Sequence, residues 1–222
     1  SSASRRRLTK TLVDLGSKRH KVHSVAHYSE AKDIIEKEKP QLVLSDYAIN
    51  GGSGFDLFSD FRISYPEDKS STLILITSNI SQSAVAKAAE EDVDSFIIKP
   101  YTVKSLEKSL INAVINKLYP SEYVKTIDAG KEQMFAGDYT IALSTFESAI
   151  ALNKKPSLAY FYHGQCKYFL DLNDEAEDDY EKGLTINNIH FKCQVGLFDI
   201  FKKEGKHKEA YEVVRNIAKY FP

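Results

Sequence analysis

The second half of the chain repeats itself every 34 residues, and this period limits the folds that the chain can adopt. Ala142, Ala176 and Ala210 form the clearest column. Five further columns share the spacing: Gly130 and Gly164; Gly137 and, two periods on, Gly205; Phe146, Tyr180 and Val214; Ala149, Gly183 and Ile217; Leu152, Ile186 and Tyr220. A repeat of this length is typical of a helix-turn-helix unit, whose small residues lie where two helices pack closely. The sequence therefore predicts stacked helix pairs.

The first half of the chain alternates strand and helix patterns instead. Strands are predicted at 20–25, 41–45, 73–76 and 95–98, with helices before Gly16 and at 29–37, 55–64, 81–91 and 103–118. Continuous apolar runs are typical of parallel strands that are buried on both faces. The alternation predicts an α/β doubly wound parallel sheet over residues 1–119. Strand-like runs stop at Tyr119 and Pro120, so we expect a second, all-helical domain at 120–222.

Composition argues against several classes of function. The formal net charge of −1 offers no basic excess for a nucleic-acid backbone. Two cysteines, Cys166 and Cys193, are too few for a disulfide framework or a zinc site and suit a reducing compartment. No apolar run approaches the roughly 18 residues of a membrane helix. We therefore expect a cytoplasmic protein that binds neither nucleic acid nor membrane.

Three of the predicted strands are followed by residues that can carry chemistry. Asp46 follows the first apolar run, Thr77 the second and Lys99 the third. Because the carboxyl ends of parallel strands meet at one edge of a doubly wound sheet, a carboxylate, a hydroxyl and an ammonium are expected in one small site. No nucleophile-base signature, cofactor fingerprint or metal-ligand histidine spacing accompanies them.

With Asp46, Thr77 and Lys99-Pro100 at these spacings, residues 1–119 resemble the response regulator receiver family. The resemblance implies that Asp46 is the phosphoacceptor and that Thr77 is the switch hydroxyl that closes on the phosphoryl group. It also implies roles for their neighbours: Lys99 pairs with the phosphate, Pro100 follows a cis peptide bond, Phe96 is the switch aromatic, and Gly54 is the glycine eight residues past the acceptor. An aspartyl phosphate carries about one to two negative charges, which a hydroxyl and an ammonium can bind.

Receivers bind Mg²⁺ through two adjacent acidic residues at the end of their first strand. In this register the pair falls directly upstream of Ser1, so only Asp46 and the backbone carbonyl of Ala48 remain as metal ligands. These are too few for a cation that prefers six oxygens. We therefore expect an upstream strand that ends in two acidic residues, lies between the strands at 20–25 and 41–45, and is required for Mg²⁺ binding.

Residues 123–222 resemble the tetratricopeptide repeat family, with repeats at 123–156, 157–190 and 191–222. The resemblance implies that the first helix of each repeat lines a concave face that binds a protein or peptide. On repeat position alone, the expected contact residues are Lys131, Phe161, Gln165, Tyr168, Asp199 and Lys202.

These features favour a two-component response regulator in which phosphorylation of Asp46 controls protein-protein interaction through the repeats. Its partners would be a sensor histidine kinase or phosphotransfer protein and an unidentified protein or peptide. Receivers often pair through their fourth and fifth helices, so a homodimer is one oligomeric state to expect. The alternative is a pseudo-receiver scaffold that never takes phosphate. An enzyme acting on a small molecule has little support, because no base, nucleophile or cofactor motif accompanies Asp46.

Overall fold

The structure is a computed structural model that describes residues 2–65, 68, 70–78 and 93–220. These residues divide between Tyr119 and Pro120 into two compact units, which we call the sheet unit and the helical unit. Among the described helices, none has the length and apolar character needed to cross a membrane.

The sheet unit mixes helices with short strands. Its described elements are α1 (Ser2–Asp14), a 3-10 helix (Arg19–Lys21), α2 (Tyr28–Glu38), β1 (Leu42–Asp46), β2 (Ala48–Ile49), β3 (Gly52–Ser53), α3 (Gly54–Ser64), β4 (Thr72–Thr77), β5 (Ser95–Ile98) and α4 (Val103–Leu118). Strands β2 and β3 form a small antiparallel hairpin, and the other three strands form the main sheet.

The main sheet is parallel, with β4 between β1 and β5. Every residue of β4 is buried, as the continuous apolar run predicts for a central parallel strand. Ile74 and Ile76 of β4 pack with Ile97 of β5 and Leu106 of α4, and leucines of α1 border the same core. The predicted parallel sheet with flanking helices is therefore confirmed for these strands.

The predicted strand at 20–25 is wrong. Arg19–Lys21 form a 3-10 helix, and residues 22–25 have no regular structure. Local hydrogen bonds satisfy part of this backbone, because the amide of Lys21 donates to the carbonyl oxygen of Lys18 over 2.8 Å. The alternating side chains predicted a strand, but a strand needs a partner strand with which to form backbone hydrogen bonds. No described strand pairs with this segment.

Two further expectations lie beyond what the structure tests. The predicted helix at 81–91 lies entirely within residues 79–92, which are outside the described residues. The strand order expected around an upstream strand also stays a prediction, since β1 pairs only with β4 among the described strands.

The helical unit consists of six helices in the described part of the chain, which confirms the predicted helical second half. They are α5 (Glu122–Phe135), α6 (Tyr139–Leu152), α7 (Ser157–Phe169), α8 (Asn173–Ile186), α9 (Phe191–Lys203) and α10 (His207–Tyr220). Each helix contacts the next one along the chain. The unit is therefore a succession of three helix pairs.

The turn inside each pair has the same geometry at the 34-residue spacing. Gly137, Asp171 and Gly205 have φ angles of 88°, 60° and 71°. The residue after each donates its amide to a carbonyl five positions back, at 2.8–3.0 Å: Asp138 to Gln133, Leu172 to Lys167, and Lys206 to Phe201. This is a left-handed helix cap, which glycine favours and aspartate tolerates. The structure thus places Asp171 in the column that the sequence showed only as two glycines.

Close helix contacts recur at the same spacing. A side-chain carbon at Gly130 would lie 2.5 Å from the ring of Phe146, and one at Gly164 would lie 2.9 Å from the ring of Tyr180. The three alanines of the clearest column are all buried. Small residues therefore stand where the two helices of a pair approach most closely, as the period predicts.

Candidate functional site

The carboxyl ends of β1, β4 and β5 bring the predicted site residues to one edge of the sheet. Asp46 ends β1 beside Ile76 of β4, and Thr77 ends β4 beside Ile98 of β5. Lys99 follows Ile98 directly. The parallel register thus delivers the carboxylate, the hydroxyl and the ammonium to neighbouring strand ends.

Asp46 and Lys99 form an ion pair across the central strand. The Nζ atom of Lys99 lies 2.5 Å from Oδ1 of Asp46, and the two side chains are 34% and 33% exposed. The backbone holds Lys99 in place, because its amide donates to the carbonyl oxygen of Thr77 over 2.8 Å. The Lys99–Pro100 peptide bond is cis, as the family resemblance implies. The side chain of Asp46 thus remains partly open to solvent while it is paired with a cation.

The start of α3 closes tightly against the end of β1. A side-chain carbon at Gly54 would lie 2.5 Å from the backbone oxygen of Asp46 and 2.8 Å from Oγ of Ser45, so only glycine fits. Ser53 caps the helix by accepting a hydrogen bond from the amide of Asp56 over 3.1 Å. This glycine therefore allows the helix to begin beside the aspartate.

A family model describes this half of the chain. The response regulator receiver domain matches residues 2–111. These residues are a receiver domain. A crystal structure of a signal receiver domain from Vibrio parahaemolyticus, attributed to a Luxo repressor protein, is similar over 52% of this chain and 85% of its own length, with 22% identity and a TM-score of 0.45. No curated protein sequence matches the chain. The family match does not extend into the helical unit.

Two other predicted residues of the receiver domain lie near this edge. Phe96 pairs with Leu75 in the ladder of β4 and β5 and is half-buried. Ala48 begins the small hairpin and is exposed. Phe96 therefore lies on the strand predicted at 95–98, whereas Ala48 lies on a hairpin that the sequence did not predict.

The described part of the receiver domain does not form a complete magnesium site. Receivers commonly bind Mg²⁺, which prefers about six oxygen ligands. At this edge Asp46 supplies a carboxylate that is already paired with Lys99. No group of three histidine, cysteine or acidic side chains suited to a metal ion occurs among the described residues. The donors present do not fit the ion by themselves.

The predicted contact residues of the helical unit all lie on the first helices of the three pairs. Lys131, Gln165 and Tyr168 are half-buried, and Asp199 and Lys202 are exposed. Phe161 is only 7% exposed and belongs to the core, so it offers little surface to a partner.

Sequence analysis missed a buried carboxylate between α7 and α8. Asp179 has a side chain that is 3% exposed, with Nδ1 of His163 at 2.7 Å and Nζ of Lys167 at 2.8 Å. Burial raises the pKa of Asp179, but hydrogen bonds from His163 and Lys167 outweigh burial and hold that pKa below its usual range. Its acidic sequence surroundings resemble a solvated helix face, so no signal in the sequence indicated the burial.

Proposed function

We propose that the chain is a two-component response regulator in which Asp46 accepts a phosphoryl group and the helical unit binds a protein partner. The observation that carries this proposal is the pairing of Asp46 with Lys99 at the strand ends of a receiver domain. Phosphorylation would control the interaction that the helical unit makes.

The chemistry follows from the two charged groups. A carboxylate oxygen of Asp46 would attack the phosphorus of a phosphorylated histidine on a sensor kinase or phosphotransfer protein. The new P–O bond forms as the P–N bond breaks, and the histidine nitrogen keeps the electron pair. The product carries more negative charge than the carboxylate, by up to about one unit, and Lys99 is within reach to pair with it.

The helical unit supports a binding role of the tetratricopeptide type. Its three turns share one left-handed cap geometry at the 34-residue spacing, and its first helices contact each other, α5 with α7 and α7 with α9. Solenoids built in this way present their inner layer of helices as an extended binding surface. We expect Lys131, Gln165, Tyr168 and Lys202 on that surface.

A pseudo-receiver scaffold is the second candidate, and one observation favours it. Among the described strand ends, Asp46 supplies the carboxylate that could bind a metal ion. Mg²⁺ prefers about six oxygen ligands, which is more than this carboxylate provides. In this alternative the receiver domain would serve as a docking module and would never take phosphate. Neither candidate is an enzyme acting on a small molecule, and both suit a cytoplasmic protein whose two cysteines are thiols.

Incubation with acetyl phosphate and Mg²⁺, followed by intact mass measurement, separates the two candidates. The proposal expects a mass gain of one phosphoryl group, since the carboxylate of Asp46 would displace acetate from phosphorus. Asp46→Asn should abolish the gain. Asp56→Asn is the matched control, because Asp56 is an exposed carboxylate at the start of α3 near the same edge. Absence of any gain in the unaltered chain, or an equal gain in Asp46→Asn, would favour the scaffold.

A further inference from the structure

A cleft on the receiver domain lies between α1 and the segment that follows it. Its volume is about 510 Å³, within the range of about 300 to 1,000 Å³ that is usual for small-molecule sites. Arg5, Arg6 and Lys10 line it from α1, and Arg19 lines it from the 3-10 helix. Among the described residues that line the cleft, none is acidic and none is aromatic. The cleft therefore gathers positive charge, whereas most small-molecule sites gather apolar side chains.

The sequence forms this cleft by turning the chain back after α1. Gly16 has a φ angle of 104°, a left-handed conformation that glycine favours at the end of a helix. Its amide donates to the carbonyl oxygen of Val13 over 2.9 Å, and the amide of Ser17 donates to that of Leu12 over 3.0 Å. These bonds close the helix, and the returning segment places Arg19 in the same cleft as the side chains of α1.

The basic groups of the cleft are not neutralised by ion pairs. Within the described part of the chain, no carboxylate lies within 4.0 Å of any of the four, although Asp14 is one turn after Lys10 on α1. Arg5 is half-buried, so its charge is partly withdrawn from water. The Nη1 atom of Arg19 lies 3.4 Å from the carbonyl oxygen of Val22, which leaves most of its donors for another acceptor. An anion in the cleft would relieve the repulsion among these groups.

Positive charge is concentrated in this part of the chain. Residues 1–27 contain seven lysine and arginine residues and one acidic residue, whereas the remainder contains 23 basic and 30 acidic residues. A cleft lined by charge of one sign raises the local concentration of ions of the opposite sign. The ligand that such a cleft selects is therefore an anion, although the protein as a whole has a net charge of −1.

The residue types indicate which anion fits. A guanidinium group donates two parallel hydrogen bonds to a phosphate, and the cleft holds three arginines and one lysine. Thr9 and Ser24 add hydroxyl groups that can donate to phosphate oxygens. A ligand with two linked phosphoryl groups can contact cations of α1 and of the returning segment at once. No aromatic side chain among the described lining residues offers a surface on which a nucleobase could stack.

We propose that this cleft binds a small ligand that carries two or more linked phosphoryl groups, such as inorganic diphosphate or the phosphate chain of a nucleotide. The site is separate from Asp46, since none of its lining residues belongs to the strand ends that carry the acceptor. The inference therefore goes beyond the proposed phosphorylation and does not depend on it.

Calorimetric titration of the full 222-residue chain tests the proposal, with EDTA present to exclude divalent metal ions. The probes are inorganic phosphate, inorganic diphosphate, adenosine diphosphate and adenosine. Diphosphate should bind more tightly than phosphate, adenosine should not bind, and added salt should weaken binding. NMR chemical-shift changes at the amides of Thr9 and Ser24 should locate the ligand. Tighter binding of adenosine diphosphate than of diphosphate would assign the ligand to the nucleotides, and equal or weaker binding would assign it to the inorganic ions.

Paired variants separate a binding site from a general effect of charge. Arg5→Gln with Arg19→Gln removes two cations that line the cleft and should weaken diphosphate binding by about 5- to 30-fold, the range for two partly exposed charge pairs. Arg7→Gln with Lys21→Gln is the matched control. Both of its residues are exposed, lie on the same two helices and do not line the cleft, and the net charge falls by the same amount. This control should change the affinity by less than about 2-fold, since the loss of distant surface charge is screened by salt.

Several outcomes would overturn the inference. Equal weakening in the two double variants would show that diphosphate responds to overall charge and has no site in the cleft. Equal affinities for phosphate and diphosphate would exclude recognition of linked phosphoryl groups, and shift changes confined to the surroundings of Lys99 would place the anion at the receiver site. If circular dichroism shows that the first double variant does not fold, Arg6→Gln with Lys10→Gln replaces it, because both side chains are exposed. Undiminished binding to a folded variant of either kind would likewise contradict the proposal.

Discussion

Replacement of Ala176 by leucine would test whether the 34-residue period reports real helix packing. Ala176 has no exposed surface, and it lies where α7 and α8 approach each other. A side-chain carbon at Gly164 on α7 would lie only 3.1 Å from the backbone oxygen of Ala176. Three extra carbon atoms therefore have no space without a shift of one helix.

The expected cost comes from this lack of space. Overpacking of a well-filled core destabilises by about 1 to 3 kcal/mol, and the difference in helix propensity between alanine and leucine is a few tenths at most. For a unit of this size, about 1 kcal/mol lowers the melting temperature by about 4 to 8 °C. Ala176→Leu should therefore lower the melting temperature of the helical unit by about 4 to 24 °C.

Thermal unfolding followed by far-ultraviolet circular dichroism measures this effect, and hydrogen exchange identifies the unit that opens. Ala129→Leu is the control, since Ala129 is exposed on α5 and leucine can extend into solvent there. Ala142→Leu should cost as much as Ala176→Leu, and Ala210→Leu should cost less, because Ala210 retains 7% exposure. If Ala176→Leu melts like the Ala129→Leu control, the alanine column does not mark a packed helix crossing and our reasoning from the period fails.

Three further predictions concern charged groups. Asp94→Asn should destabilise the receiver domain by about 1.5 to 3 kcal/mol in urea unfolding, because Asp94 pairs with Arg62 at 3.1 Å and Lys117 at 2.7 Å; an unchanged midpoint would contradict this. Burial lowers the pKa of His190 to about 4. The contribution of neutral His190 to folding stability, roughly 3 kcal/mol, is therefore complete above pH 6.5 and is lost as the pH falls towards 4. His190→Asn should flatten the fall in helical-unit stability between pH 6.5 and 5, and an unchanged slope would exclude this origin. Lys99→Met should lower the extent of phosphorylation by acetyl phosphate in intact mass spectra, whereas equal extents would show that Lys99 does not stabilise the product.

The sheet edge could be predicted from the sequence because parallel strands impose a simple rule. Once the apolar runs of β1, β4 and β5 are recognised, the residues after them must lie at neighbouring strand ends. Asp46, Thr77 and Lys99 follow from this rule without knowledge of any side-chain contact. The strand prediction at 20–25 was wrong because a strand forms only with a partner strand. Alternation within one segment does not show whether a partner strand is present.

The helical unit shows a different limit. The period predicted the helix pairs and their small residues, since close approach restricts residue size strongly. It could not predict that Asp179 would be buried, because the run around it is acidic and a solvated face has the same pattern. Nor could it place Lys192 over Tyr162, since this contact joins two helix pairs and depends on the angle at which they stack. Contacts within a repeat could thus be anticipated, whereas contacts between repeats needed the structure.

The pairing of Asp46 with Lys99 also explains how a receiver site could change state at little cost. Both side chains are about one third exposed, and ion pairs of this kind contribute about 0 to 1 kcal/mol to stability. Breaking the ion pair between Asp46 and Lys99 therefore costs little folding free energy. A phosphorylated Asp46 would offer the same ammonium an anion of greater charge at nearly the same place, so Lys99 would exchange one partner for a stronger one. The buried register of β1, β4 and β5 need not change in that exchange, because the backbone bond from Lys99 to Thr77 does not involve either charged group.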